Sequence, residues 1–147
     1  MALKRINPGK RMSEAVIHNG MAYLAGFVAE EMCGKSVKEQ TTDILAQIDA
    51  TLKKAGTSRS NIVKCNIWLT DMGTFAQMNE AWDAWVPAGA TPARATVESP
   101  RLAAPGYDVE IMVEAAVLKK AAKAKTAGAR PAKKAAKKPA AKKAKKK

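Results

Sequence analysis

Short apolar runs at 15–18 (Ala-Val-Ile-His) and 21–25 (Met-Ala-Tyr-Leu-Ala) flank Asn19-Gly20, a pair whose tolerance of positive φ suits a two-residue turn, so a β-hairpin is predicted near the N-terminus. After a polar stretch, Ser36 and Glu39 stand at capping-box spacing. Val37, Ile44, Ile48, Leu52 and Ala55 then recur on one helical face until Gly56 stops it, which predicts an amphipathic helix over 37–55. Residues 62–69 alternate as a strand does, with Val63, Cys65, Ile67 and Leu69 expected on one face and Lys64, Asn66 and Trp68 on the other. Phe75, Met78, Trp82 and Trp85 recur at helical spacing, predicting a second helix over 74–86 whose aromatics serve packing. Strands are predicted over 93–98 and 107–117. In the latter, Val109, Ile111, Val113, Ala115 and Val117 share one face, opposite Asp108, Glu110, Met112 and Glu114.

The order of hairpin, helix, strand, helix, strand and strand defines an α+β fold with a sheet of about six strands. Two helices cover only one face of such a sheet. The other face carries Trp68 and Met112, which gain from burial, so self-association through it is the physical expectation.

Charge divides the chain. Of 26 Lys and Arg residues, 14 fall within 119–147, which holds no acid, leaving 12 bases and 13 acids in 1–118. A globular domain over 1–118 and a separate basic tail over 119–147 are therefore predicted. The Lys/Ala/Pro-rich tail has no large apolar side chain to offset the entropy of ordering, so disorder is expected there. No stretch reaches the roughly 20 continuous apolar residues of a membrane span. The opening residues lack the apolar core of a secretion signal, and Cys33 and Cys65 do not suggest a disulfide framework; reduced thiols in a cytoplasm are the simpler reading.

Much chemistry is excluded early. A single histidine, His18, rules out a multi-histidine metal site and disfavours a histidine-based triad. Gly34-Lys35-Ser36 resembles the end of a phosphate-binding loop, but the glycine that motif needs five residues earlier is Ala29, and Glu30 and Glu31 would set negative charge beside a phosphate.

Three segments carry a resemblance. Phe75-Ala-Gln-Met-Asn79, Pro92-Ala-Arg94-Ala-Thr-Val97-Glu98 and Asp108-Val-Glu-Ile-Met-Val-Glu114-Ala occur in the order found in the RidA (YjgF) family of imine and enamine deaminases, and Leu24-Ala-Gly26 and Lys54-Ala-Gly56 fit as well. The resemblance spans about residues 5–118. It implies a chorismate-mutase-like domain with a mixed sheet and two helices on one face, assembled as a homotrimer with sites in the clefts between subunits. It also implies hydrolysis of 2-aminoacrylate and related 2-imino acids to 2-oxo acids and ammonia, with neither metal nor organic cofactor.

The residues fit that chemistry. A guanidinium is a planar two-pronged donor for the carboxylate of an imino acid, which makes Arg94 the candidate clamp. Glu114 is the matching candidate to orient and deprotonate water, with Glu110 as an alternative on the same predicted face. Gly26, Phe27 and Asn79 are candidate substrate contacts, and Arg101 also matches a recurring family position. The chain departs from its relatives elsewhere. Met12 or its neighbours stand where studied members have a tyrosine, Ala25-Gly26-Phe27 replaces Ser-Gly-Gln, and Ala95-Thr96 follows Pro-Ala-Arg. A different substrate preference is expected from those walls.

The tail resembles the Lys-Ala-Pro tails of linker histones and some bacterial nucleoid proteins. It would bind polyanions without reading bases, with affinity falling by a log–log salt slope of about −0.9 per phosphate contact. The competing reading of the whole protein is therefore a non-catalytic trimeric binding module, or a DNA- or RNA-associated protein acting through its tail, with nucleoid association following if DNA is the partner. No membrane partner is expected.

Overall fold

Asn19 and Gly20 take φ of 49° and 76°, both left-handed, and close a two-residue turn between strands Ser13–His18 and Met21–Leu24. Thus the predicted hairpin forms. In the computed structural model, which describes residues 2–118, it belongs to a seven-stranded mixed sheet. The chain runs β1 (Lys4–Pro8), β2 (Ser13–His18), β3 (Met21–Leu24), β4 (Phe27–Val28), α1 (Val37–Ala55), β5 (Ile62–Leu69), α2 (Phe75–Trp85), β6 (Ala93–Glu98) and β7 (Val109–Ala116). The expectations made for 119–147 lie outside the described residues.

The strand order is β1-β2-β3-β7-β5-β6, with β4 also paired to β7. Every pairing is antiparallel except that of β5 with β6, which α2 connects. Both long helices pack on one face. Ile44, Leu45, Ile48 and Leu52 of α1, with Met78 and Trp82 of α2, meet Cys65, Ile67 and Leu69 of β5 and Val109, Ile111, Val113 and Ala115 of β7 in one core.

The first helix begins and ends where its caps dictate. Ser36 accepts a bond from the Glu39 amide while the Glu39 carboxylate accepts one from the Ser36 amide, and Gly56 closes the far end at φ 81°. Gln40, fully buried in its first turns, fastens the entry to β7. Its Nε2 donates to the Lys35 and Gly106 carbonyls and to Asp108 Oδ2, and its Oε1 accepts from the Asp108 amide.

Three details differ from the sequence reading. The sheet has seven strands against the about six expected; the sequence pattern places five by residue range, and β1 and β4 are the two that it does not. Strand β1 buries only Ile6, so it carries no alternation, and β4 has two residues. A register shift between Ile62 and Lys64 gives the inward place to Ile62 and leaves Val63 50% exposed, not facing the core beside Cys65. Finally, Phe75 opens α2 with 37% of its surface in water, so it is not a core aromatic like Trp82.

Candidate functional site

Arg94 lies on the edge strand β6, opposite Cys65 in register, and so points to the helix side of the sheet. There α2 meets it with its Phe75–Met78–Trp82 stripe. The Arg94 guanidinium carbon stands 5.1 Å from the Trp82 ring centroid and 6.0 Å from that of Phe75, and an N–H reaches Met78 Sδ at 3.9 Å. No carboxylate lies within ion-pair distance of Arg94 among the described residues. The head group is thus steadied by aromatic faces while its directional N–H bonds stay open to an anion.

Two polar atoms share this part of the molecule. Asn79 follows Met78 on α2 and Thr96 lies two residues beyond Arg94 on the same strand face; Asn79 Oδ1 and Thr96 Oγ1 are buried without a hydrogen-bond partner among the described residues. Beneath Arg94, burial pushes the Cys65 thiol up to about 12, with the guanidinium charge opposing it only in part, so Cys65 is a core thiol and not a nucleophile.

Glu114 lies on the other face. It pairs across the ladder with Tyr23 of β3 and Lys64 of β5, and Lys64 Nζ stands 3.4 Å from its Oε1. Glu110 shares this open face, between Val28 of β4 and Trp68 of β5. It has no ion-pair partner among the described residues, and burial raises its pKa above the usual carboxyl range. Its carboxyl rests on Gly26, where a Cβ would lie 2.0 Å from Oε1.

Gly26 and Phe27 belong to the break where the chain leaves β3 and returns to β7 as β4. With Met12 they line a cleft of about 420 Å³ that α1 closes through Gln47, Thr51 and Lys54. Glu14 projects into it, and Asn7 foremost, then Lys54 and Thr51, hold its carboxyl below the ordinary range against the opposing effect of burial. Arg101 lies on the β6–β7 loop and lines a separate hollow with Tyr107 and Asp108.

One copy of the chain therefore gathers Met12, Gly26 and Phe27 in one cleft and sets Arg94 and Asn79 beside α2. It does not bring Arg94 to Glu114, which the sheet separates. Sequence reasoning missed the aromatic setting of Arg94 and the seat of Glu110. The spacing of Phe75 and Trp82 carried the first signal, since it defined a stripe that had to face something; no local signal marked the second. The Ser36 hydroxyl, part of the decoy phosphate motif, donates to Glu39 Oε2 at 2.6 Å and serves the cap. Among the described residues no cluster of three metal-ligating side chains occurs, and no helix is long and apolar enough to cross a membrane.

A mixed sheet with two helices on one face is a fold this chain shares with solved YjgF proteins. A solved member of the YjgF family from Neisseria meningitidis is 44% identical to this chain, covers 82% of it and 98% of its own length, and superposes with a TM-score of 0.78. A putative translation initiation inhibitor from Salmonella typhimurium is 45% identical over 79% of this chain and 98% of its own, with a TM-score of 0.71. Among curated relatives, a RutC family protein of Haemophilus influenzae is 46% identical over 113 residues, covering 77% of this chain and 97% of the relative. The RutC family protein YoaB of Escherichia coli is 46% identical over 117 residues, 80% of this chain and 100% of the relative. The family model described as Endoribonuclease L-PSP matches residues 2–117. The chain belongs to this L-PSP endoribonuclease family, the RidA (YjgF/RutC) family of the sequence reading.

Proposed function

We propose that the protein hydrolyses reactive 2-imino and enamine acids of the 2-aminoacrylate type to 2-oxo acids and ammonia, without a cofactor. One observation carries this reading: an exposed guanidinium, steadied on Phe75 and Trp82, has no carboxylate of its own among the described residues. Arg94 would take the substrate carboxylate in a two-pronged bond, hold the adjacent C=N group fixed, and withdraw electron density from it. Asn79, with its unpartnered buried oxygen, would accept from the imine nitrogen after a small opening of α2. Water attacking the carbon needs a carboxylate to orient and deprotonate it, and the open face of β7 offers Glu114 and Glu110.

Because Arg94 and those carboxylates occupy opposite faces, the reading requires a second copy, and a homotrimer with shared clefts supplies it. Tyr23 and Val97, respectively 45% and 49% exposed on the open face, support such an assembly, since pairing that face would remove them from water. Gly26 and Phe27 would form the wall next to the clamp, with Phe27 favouring an apolar substrate side chain.

The test is the rate at which 2-oxo acid forms from imino acids generated by an amino acid oxidase. The wild-type protein should accelerate it, and Arg94→Ala should lose the acceleration while keeping its far-UV circular dichroism. Equal rates for the two proteins would remove Arg94 from the mechanism.

A second reading rests on charge. The 14 bases of 119–147, with no acid among them, support nonspecific binding of nucleic acid through that segment. Truncation after Leu118 should abolish salt-sensitive retention on duplex DNA and leave imine hydrolysis unchanged; unchanged retention would dismiss this second role.

A further inference from the structure

We propose that Glu110, seated on the backbone of Gly26, is the group that passes protons in the hydrolysis proposed above, and that Glu114 is not; the assignment rests on that reading of the function. The two carboxylates share a face and a strand but differ in their surroundings. Glu114 stands 3.4 Å from Lys64 Nζ and is engaged by that ion pair. Glu110 has no cation within ion-pair distance among the described residues, and its ladder partners, Val28 and Trp68, are apolar.

Gly26 gives the independent geometric argument. Its φ lies outside the left-handed region occupied by Gly20, Gly34, Gly56, Gly89 and Gly106, so backbone conformation does not require glycine there. Space does. A Cβ at Gly26 would lie 2.0 Å from Glu110 Oε1, 3.0 Å from its Cδ and 3.3 Å from its Cγ. The missing side chain thus provides the seat of the carboxyl group, at the wall that the family resemblance assigns to the substrate. Burial raises the Glu110 pKa, the direction that suits a carboxyl group which must donate a proton as well as accept one.

The chemistry balances through this one group. The Glu110 carboxyl gives its proton to the imine nitrogen. Water adds through oxygen to the carbon and returns a proton to the carboxylate, leaving a carbinolamine. A second transfer to nitrogen precedes cleavage of the C–N bond, whose electron pair leaves with ammonia, while the hydroxyl proton passes back to Glu110 as the C=O bond forms. One imino acid and one water yield one 2-oxo acid and one ammonia, and Glu110 ends as it began.

The experiment compares full-length wild type with Glu110→Gln, Glu114→Gln, Gly26→Ala and Arg94→Ala in the oxidase-coupled assay. Glu110→Gln should lower kcat by about 100-fold with KM within about twofold, whereas Glu114→Gln should stay within about threefold of wild type. Gly26→Ala, which displaces the flexible end of Glu110, should lower kcat by about tenfold with its thermal midpoint nearly unchanged. If Arg94→Ala is inactive but Glu110→Gln retains the wild-type rate, the assignment to Glu110 fails and the proposed reaction stands. Equal losses in Glu110→Gln and Glu114→Gln also overturn the assignment. A wild-type protein no faster than buffer overturns the reaction and the assignment together.

Discussion

Arg94 and Glu110 are held on opposite faces of a single sheet by neighbours on the same strand: Arg94 is level with Cys65 and Glu110 with Trp68, so β5 stands between the two groups and presents each to a different side. A reaction needing both groups must draw them from two copies.

This arrangement makes complementation a direct test. Arg94→Ala is expected to be inactive and Glu110→Gln to keep only about one hundredth of the wild-type rate. When the two are unfolded together in equal amounts and refolded, about a quarter of sites in a randomly mixed trimer should receive both wild-type groups and regain activity. A mixture as inactive as its components would place both groups in one copy or neither in the site.

Gln40 is expected to be worth more to stability than to chemistry. Its buried amide satisfies carbonyls at Lys35 and Gly106 and both the amide and a carboxylate oxygen of Asp108. Gln40→Leu preserves much of the volume but strands those groups, and should cost about 2–3 kcal/mol in urea-unfolding experiments. A loss below about 0.5 kcal/mol would show that water replaces the amide.

The acid limb of the stability curve should respond to Glu14. Asn7, Lys54 and Thr51 lower its folded pKa from 4.5, so its contribution is fully present above that value and is lost as pH falls through the folded pKa. Glu14→Gln should therefore be the less stable protein at pH 7, and the difference from wild type should narrow on acidification. Thermal midpoints measured from pH 7 down to pH 3 check this; a difference that widens in acid contradicts the assignment.

The thiols should separate cleanly. Cys33 is exposed, whereas Cys65 is 1% exposed with its pKa pushed up to about 12. A disulfide reagent at pH 8 should modify one thiol rapidly and the second only after denaturant is added. Rapid reaction of both would mean that β5 and β6 separate readily.

What the sequence disclosed depended on whether its signal was local. Helix α1 was legible from end to end because Ser36, Glu39 and Gly56 announce its termini, and β7 because its alternation is unbroken. Strand β1 was not, since Ile6 alone is buried, and the outward turn of Val63 depends on a pairing shift against β7 that its own segment does not encode. The same distinction holds at the site. Arg94 was marked by Pro92-Ala-Arg94, but which face it took depended on pairing with β5. Its aromatic bed was half visible in the Phe75–Trp82 spacing. The fit of Glu110 to Gly26 joins residues distant in the chain, so neither segment alone could reveal it.

The parallel register of β5 and β6 makes the segment from Val86 to Pro92 a ruler. Side chains alternate along β6, so lengthening that connection by one residue and sliding the strand one step would exchange Arg94 with an adjacent alanine and turn the guanidinium through the sheet. The fold could survive such a slip with most of its core intact, and the protein would be left well built but handed the wrong way round.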